Sequence, residues 1–77
     1  MTITSIDSTT LAAVGYDADR QLLQLEFRDL AVYHYFGVPG VVHEALMDSS
    51  SKGAYFNRAI RGRYPYARAP QPRMSDA

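Results

Sequence analysis

Residues 22–36, Leu-Leu-Gln-Leu-Glu-Phe-Arg-Asp-Leu-Ala-Val-Tyr-His-Tyr-Phe, decide the fold. Over Leu22–Arg28 the side chains alternate: Leu23, Leu25 and Phe27 fall on one side, Gln24, Glu26 and Arg28 on the other. A period of two is the pattern of a half-buried strand. Asp29-Leu30 then reads as a short hairpin loop, and Ala31–Phe36 as the returning strand. Alternation along that strand puts Tyr33 and Tyr35 on one face and His34 on the other. If His34 shares the wet face with Gln24 and Glu26, the two tyrosines point toward the core.

Outward from this hairpin, the N-terminal side supplies more strand. Leu11–Tyr16 is apolar and β-compatible, with Val14 and Tyr16 on one face and Gly15 marking either a bulge or a close backbone contact. Asp17-Ala18-Asp19-Arg20 is a turn, as is Ser8-Thr9-Thr10. Residues 1–7 are expected to add a short edge strand. Three sequential strands, four with that edge, make an antiparallel meander with one face packed.

The C-terminal side switches period. Gly37-Val38-Pro39-Gly40 ends the sheet, with Pro39 expected in the first turn of a helix. Val41, Val42, Ala45 and Leu46 fall on one side of that helix, and His43, Glu44, Met47 and Asp48 mostly on the other. Ser49-Ser50-Ser51 breaks it and supplies an N-cap for a second helix. There Tyr55, Phe56, Ala59 and Ile60 form an apolar stripe, and Asn57, Arg58 and Arg61 lie opposite. Gly62 is a natural stop. The fold class is therefore α+β: a three- to four-stranded antiparallel meander with two short helices packed on one face. Residues 1–69 form one domain, and residues 70–77, with Pro70 and Pro72, are expected to be a disordered tail.

The 77 residues permit one small core. The absence of cysteine excludes disulfide and thiolate metal sites. No apolar run is long enough for a membrane span, and no signal peptide is visible, so the expected location is cytoplasmic. The net charge is zero, yet its distribution is uneven. Residues 1–51 hold two arginines against seven acids; residues 52–77 hold six basic residues against one acid. Such asymmetry points to a polyanionic partner. The plainer reading folds the basic segment back onto the acidic sheet.

Most of that positive charge lies in residues 58–68, Arg-Ala-Ile-Arg-Gly-Arg-Tyr-Pro-Tyr-Ala-Arg. Arg58, Arg61, Arg63 and Arg68 offer planar, bidentate contacts to phosphate. Tyr64 and Tyr66 flank a stiffening proline and offer rings to unpaired bases. The alternative is a solvated helix face with the two tyrosines covering one end of the sheet. Tyr33 and Tyr35 are further stacking candidates, with core packing as the competing role. Catalysis has little support. His34 and His43 lie in no metal-ligand motif, and the serines have no recognisable partner base. Asp17-x-Asp19 fits a hairpin turn better than a cation site, and Gly53 makes no phosphate loop.

Three blocks resemble the KTSC domain, a family named for a C-terminal extension on some lysyl-tRNA synthetases and found also in short stand-alone bacterial or phage proteins. They are Val14-Gly15-Tyr16-Asp17, Val32-Tyr33-His34-Tyr35-Phe36-Gly37-Val38-Pro39, and the run from Ser51 to Tyr64. Tyr33 and Tyr35 match the central Tyr-x-Tyr that marks the family. The resemblance spans Ile6 to Tyr66, implies a small bacterial α+β domain and supplies no catalytic residues to carry over; no cofactor is expected. Its synthetase connection adds to the expectation of an RNA partner, or another nucleic acid. A protein-interaction module or regulator is the competing expectation. Oligomeric state is open on sequence alone.

Overall fold

The computed structural model describes residues 2–6 and 9–69. The expected tail, residues 70–77, lies outside them. Five strands form one antiparallel sheet in sequence order: β1 Thr2–Ser5, β2 Leu11–Asp17, β3 Leu22–Phe27, β4 Val32–Tyr35 and β5 Tyr66–Ala69. Helix α1, Gly40–Asp48, follows β4. Helix α2, Lys52–Tyr55, runs on into a π-helical turn, Phe56–Ile60. The sheet therefore exceeds the expected three or four strands. The extra strand is β5, drawn from the segment that reads in sequence as a basic run. Among the described residues, no helix is long and apolar enough to cross a membrane.

Register accounts for the two faces. Leu23 pairs with Tyr16 and Tyr35, and Leu25 with Val14 and Tyr33. These six side chains share the face that α1 and α2 cover. Gln24 pairs with His34 on the opposite face, where the His34 Nε2 and Gln24 Oε1 lie 2.8 Å apart. The bulge in β2 lies not at Gly15 but earlier, between Leu11 and Ala13. It explains why Leu11 and Val14, three positions apart, are both buried. An extra residue reverses the alternation once, so both side chains reach the same core.

The loops follow local chemistry. In the β2–β3 turn, Asp17 Oδ1 accepts from the Asp19 backbone N–H at 3.1 Å, and its Oδ2 lies 3.9 Å from the Arg20 Nε. Both carboxylate oxygens thus serve the hairpin. The β3–β4 connection spans residues 28–31; the Phe27 N–H donates to the Ala31 carbonyl at 2.9 Å, which closes a three-residue loop with Leu30 at φ 74°. A type I turn followed by a left-handed residue is a common way to close such a loop. Glycine usually fills that position; here an exposed leucine does.

The helices seat on the sheet through a narrow stripe. Leu46, Phe56 and Ile60 are buried, and Phe56 is wedged between Phe27 at 5.5 Å and Tyr35 at 5.6 Å, edge-on to both. Each such aromatic pair is worth ~0.5–1.5 kcal/mol beyond the area it buries. On α1 the expected faces need revision. Val41 is 71% exposed, whereas Met47 packs on the core. His43 also turns inward, its ring stacked 4.6 Å from that of Tyr16. The Tyr16 hydroxyl donates to the Val38 carbonyl at 2.6 Å. Pro39 stands one position before α1 rather than in its first turn. Ser51 caps α2 as expected, its hydroxyl accepting from Ala54 N–H.

Candidate nucleic-acid interface

The helical layer reaches β4, where Phe56 packs on Tyr35 at 5.6 Å, but leaves Tyr66 on β5 59% exposed. Tyr35 pairs with Tyr66 and Tyr33 with Arg68, so all four side chains share the core face. Past the helices, that face opens as a groove of about 470 Å³. Phe27, Tyr33, Tyr35, Phe56 and Tyr66 form its aromatic floor, and Arg61, Arg68, Asn57 and Asp29 line its sides.

The floor is graded. Tyr35 is 4% exposed and belongs to the core, Tyr33 is half-buried, and Tyr66 is 59% exposed. Their rings lie close: Tyr33 to Tyr66 at 5.7 Å, and Tyr35 to Tyr66 at 5.4 Å. Burial raises the Tyr35 pKa above its ordinary value, helped by the neighbouring phenol groups of Tyr66 and Tyr33 and opposed by the Arg61 charge. Hence Tyr35 is a neutral hydroxyl at physiological pH. The core-or-groove question has a different answer at each position: Tyr35 is core, and Tyr33 packs partly on the core while lining the groove.

Cations flank the floor at two points. The Arg68 guanidinium lies over the Tyr33 ring, 5.9 Å from its centroid. That contact holds the long side chain along the sheet while its N–H groups stay exposed. Arg61 comes from the end of the π-helical turn, whose widened ring is closed by the Arg61 N–H donating to the Phe56 carbonyl at 2.8 Å. Its Nη1 also donates to Asn57 Oδ1 at 3.4 Å. Single π-helical turns are uncommon and recur at functional sites. Gly62, at φ 78°, then turns the chain toward β5.

The other residues of the basic run go elsewhere. The Arg58 guanidinium sits 5.4 Å from the centroid of the Tyr55 ring, outside the groove lining. The Arg63 Nε donates to the Arg58 carbonyl at 3.1 Å. Tyr64 packs partly buried against the core. The structure thus gathers Arg61, Arg68 and Tyr66 with Tyr33, and leaves Arg58, Arg63 and Tyr64 outside. Among the described residues, none of Arg58, Arg61, Arg63 and Arg68 is ion-paired with a carboxylate. Among the described residues, the basic segment meets the sheet as strand β5, paired with β4.

Asp29 and Asn57 did not stand out as groove residues in the sequence. Asn57 shared a helix face with Arg61, which was a usable signal. Asp29 looked like a turn residue and nothing more. The alternation Tyr66-Ala67-Arg68-Ala69 was the sign of β5, masked by Pro65 and by the surrounding charge. A second cleft, lined by Thr9, Thr10, Ser51 and Lys52, lies on the other side of Asn57. Among the described residues, no three His, Asp or Glu side chains gather where they would hold a metal ion.

A single antiparallel sheet with two helices on one face defines a small α+β domain, with an aromatic, arginine-flanked groove at the sheet's edge. The chain belongs to the KTSC domain family, whose match covers residues 7–64. A crystal structure of a KTSC domain protein from Yersinia pestis superposes with a TM-score of 0.87 at 30% identity, covering 90% of this chain and 97% of that one. A small uncharacterised protein of Stutzerimonas stutzeri is 37% identical over 57 residues, 74% of this chain and 80% of its own length. A lysine–tRNA ligase of Nostoc sp. is 38% identical over 60 residues, 78% of this chain. The chain spans only 11% of that ligase.

Proposed function

We propose that this KTSC domain is a non-catalytic binding module for single-stranded nucleic acid, RNA before DNA, working through the β4–β5 groove. One observation carries the reading: Tyr33 and Tyr66 present ring surface in a groove flanked by Arg61 and Arg68, neither paired with a carboxylate among the described residues. Bases stack on the rings while phosphates meet the guanidinium groups, a combination suited to single strands. Arg58 and Arg63 extend the positive surface beyond the groove along the same helix end. The similarity to a segment of a lysine–tRNA ligase adds support, since that enzyme acts beside an RNA.

The test is a fluorescence titration with short single-stranded RNA at several salt concentrations. Four phosphate contacts give a slope of about −3 in log affinity against log salt. Replacing Arg61 and Arg68 together by glutamine is expected to flatten it by roughly 1.4, with the thermal melt nearly unchanged. No binding at low salt would remove RNA, and a protein partner would become the leading reading.

A further inference from the structure

We propose that the groove reads the base it holds, with Asp29 selecting guanine. This rests on the RNA reading and adds specificity to it. Asp29 is out of place in a surface that only neutralises phosphate. A carboxylate lining a polyanion groove repels the ligand unless it accepts hydrogen bonds from it. It lines the same groove as Tyr33, Tyr66 and Arg68, within the loop that leads into β4.

The loop holds this carboxylate in place. Asp29 Oδ1 accepts from the Ala31 backbone N–H at 3.0 Å. That bond fixes the side chain and leaves Oδ2, together with the second lone pair of Oδ1, to accept from a ligand. A carboxylate has acceptors only, so it favours the base edge with two adjacent donors. Guanine presents N1–H and its 2-amino group side by side. Adenine and cytosine each set one amino group beside a ring acceptor, and uracil sets one N–H between two carbonyls. Each of these places a lone pair against the carboxylate. Unpaired bases are commonly read on this edge while their faces stack. Here Tyr33 and Tyr66 supply the stacking surface.

The experiment compares short uridine-rich RNAs carrying a single central guanine, inosine, adenine or cytosine, titrated at one salt concentration. Guanine is expected to bind about tenfold tighter than adenine or cytosine, with inosine, which lacks the 2-amino group, in between. Asp29→Asn is the informative variant. Asparagine keeps an oxygen for the Ala31 N–H, so the loop stays closed, but it replaces one acceptor with a donor. Loss of a negative charge strengthens binding to every RNA alike, so the readout is the ratio between bases. That ratio is expected to collapse toward one. Equal binding of all four RNAs by the wild type, or a guanine preference that survives Asp29→Asn, overturns base reading and leaves RNA binding standing. Absence of binding to any of the RNAs at low salt overturns both.

Discussion

Tyr35 and Tyr66 face each other across β4 and β5, their rings 5.4 Å apart and 29° from parallel. One is 4% exposed and the other 59%. The hydrophobic core and the floor of the groove are therefore one continuous aromatic surface, cut by the edge of the helical layer. The inner half contributes to stability and the outer half is available to a ligand.

That relationship separates two substitutions of the same kind. Tyr35→Ala empties a core site, and is expected to cost ~3–5 kcal/mol of stability. In a domain this small that is a large fraction of the total. Tyr66→Ala removes a mostly exposed ring. It is expected to leave the melt within a few degrees and to weaken single-stranded RNA binding by ~1–3 kcal/mol. Thermal melts and titrations on both variants check this. A Tyr66→Ala protein that melts as low as Tyr35→Ala would make Tyr66 a structural residue.

Gly53 is required by its neighbour. A Cβ there would stand 2.8 Å from Thr10 Oγ1 and 3.2 Å from Thr10 Cβ. Moving the hydroxyl alone relieves only the first contact, so the loop carrying Thr10 has to shift. Overpacking of this sort costs ~1–3 kcal/mol, against at most ~1 kcal/mol gained from alanine's helix propensity. Gly53→Ala is expected to lower the Tm by several degrees. An unchanged or raised Tm would show that the loop yields freely.

Leu30 presents the opposite case. It occupies a left-handed conformation, φ 74°, with 64% of its surface exposed. That backbone costs a leucine ~1–2 kcal/mol, partly offset in Leu30→Gly by ~0.5–1 kcal/mol of extra chain entropy. The variant is expected to raise the Tm by roughly 2–6 °C. Calorimetry decides the sign, and a fall would mean that the leucine makes contacts worth more than the strain.

His43 gives the fold a pH dependence. Burial against Tyr16 lowers its pKa below the ordinary histidine value, with Glu44 opposing the shift. The folded state therefore binds this proton less readily than the unfolded chain does. Stability from this source is full above the unfolded pKa of about 6.5 and is lost as pH falls through and below it. His43→Phe keeps a ring against Tyr16 but cannot titrate. Between pH 7.5 and 5.5, the wild type is expected to lose more Tm than His43→Phe. Parallel losses would place the responsible group elsewhere.

The sequence by itself determined the hairpin at residues 22–36, the strand before it and the two helices after it. It also placed Tyr33 and His34 on opposite faces, and it located the cap within Ser49–Ser51 and the stop at Gly62. Each of these depends on local periodicity or on the backbone preference of a single residue, which neighbours in the chain suffice to express. Only the tertiary structure decided that residues 66–69 are a strand. A four-residue alternation after a proline has no burial preference until β4 offers its edge, and pairing with that edge depends on contacts more than thirty residues apart. The same pairing sorted the basic run, bringing Arg68 and Tyr66 beside Tyr33 while Arg58 and Tyr64 went elsewhere. The bulge between Leu11 and Ala13, which places both Leu11 and Val14 in the core, was likewise invisible locally, because a one-residue slip in register is chosen by the core that it fills.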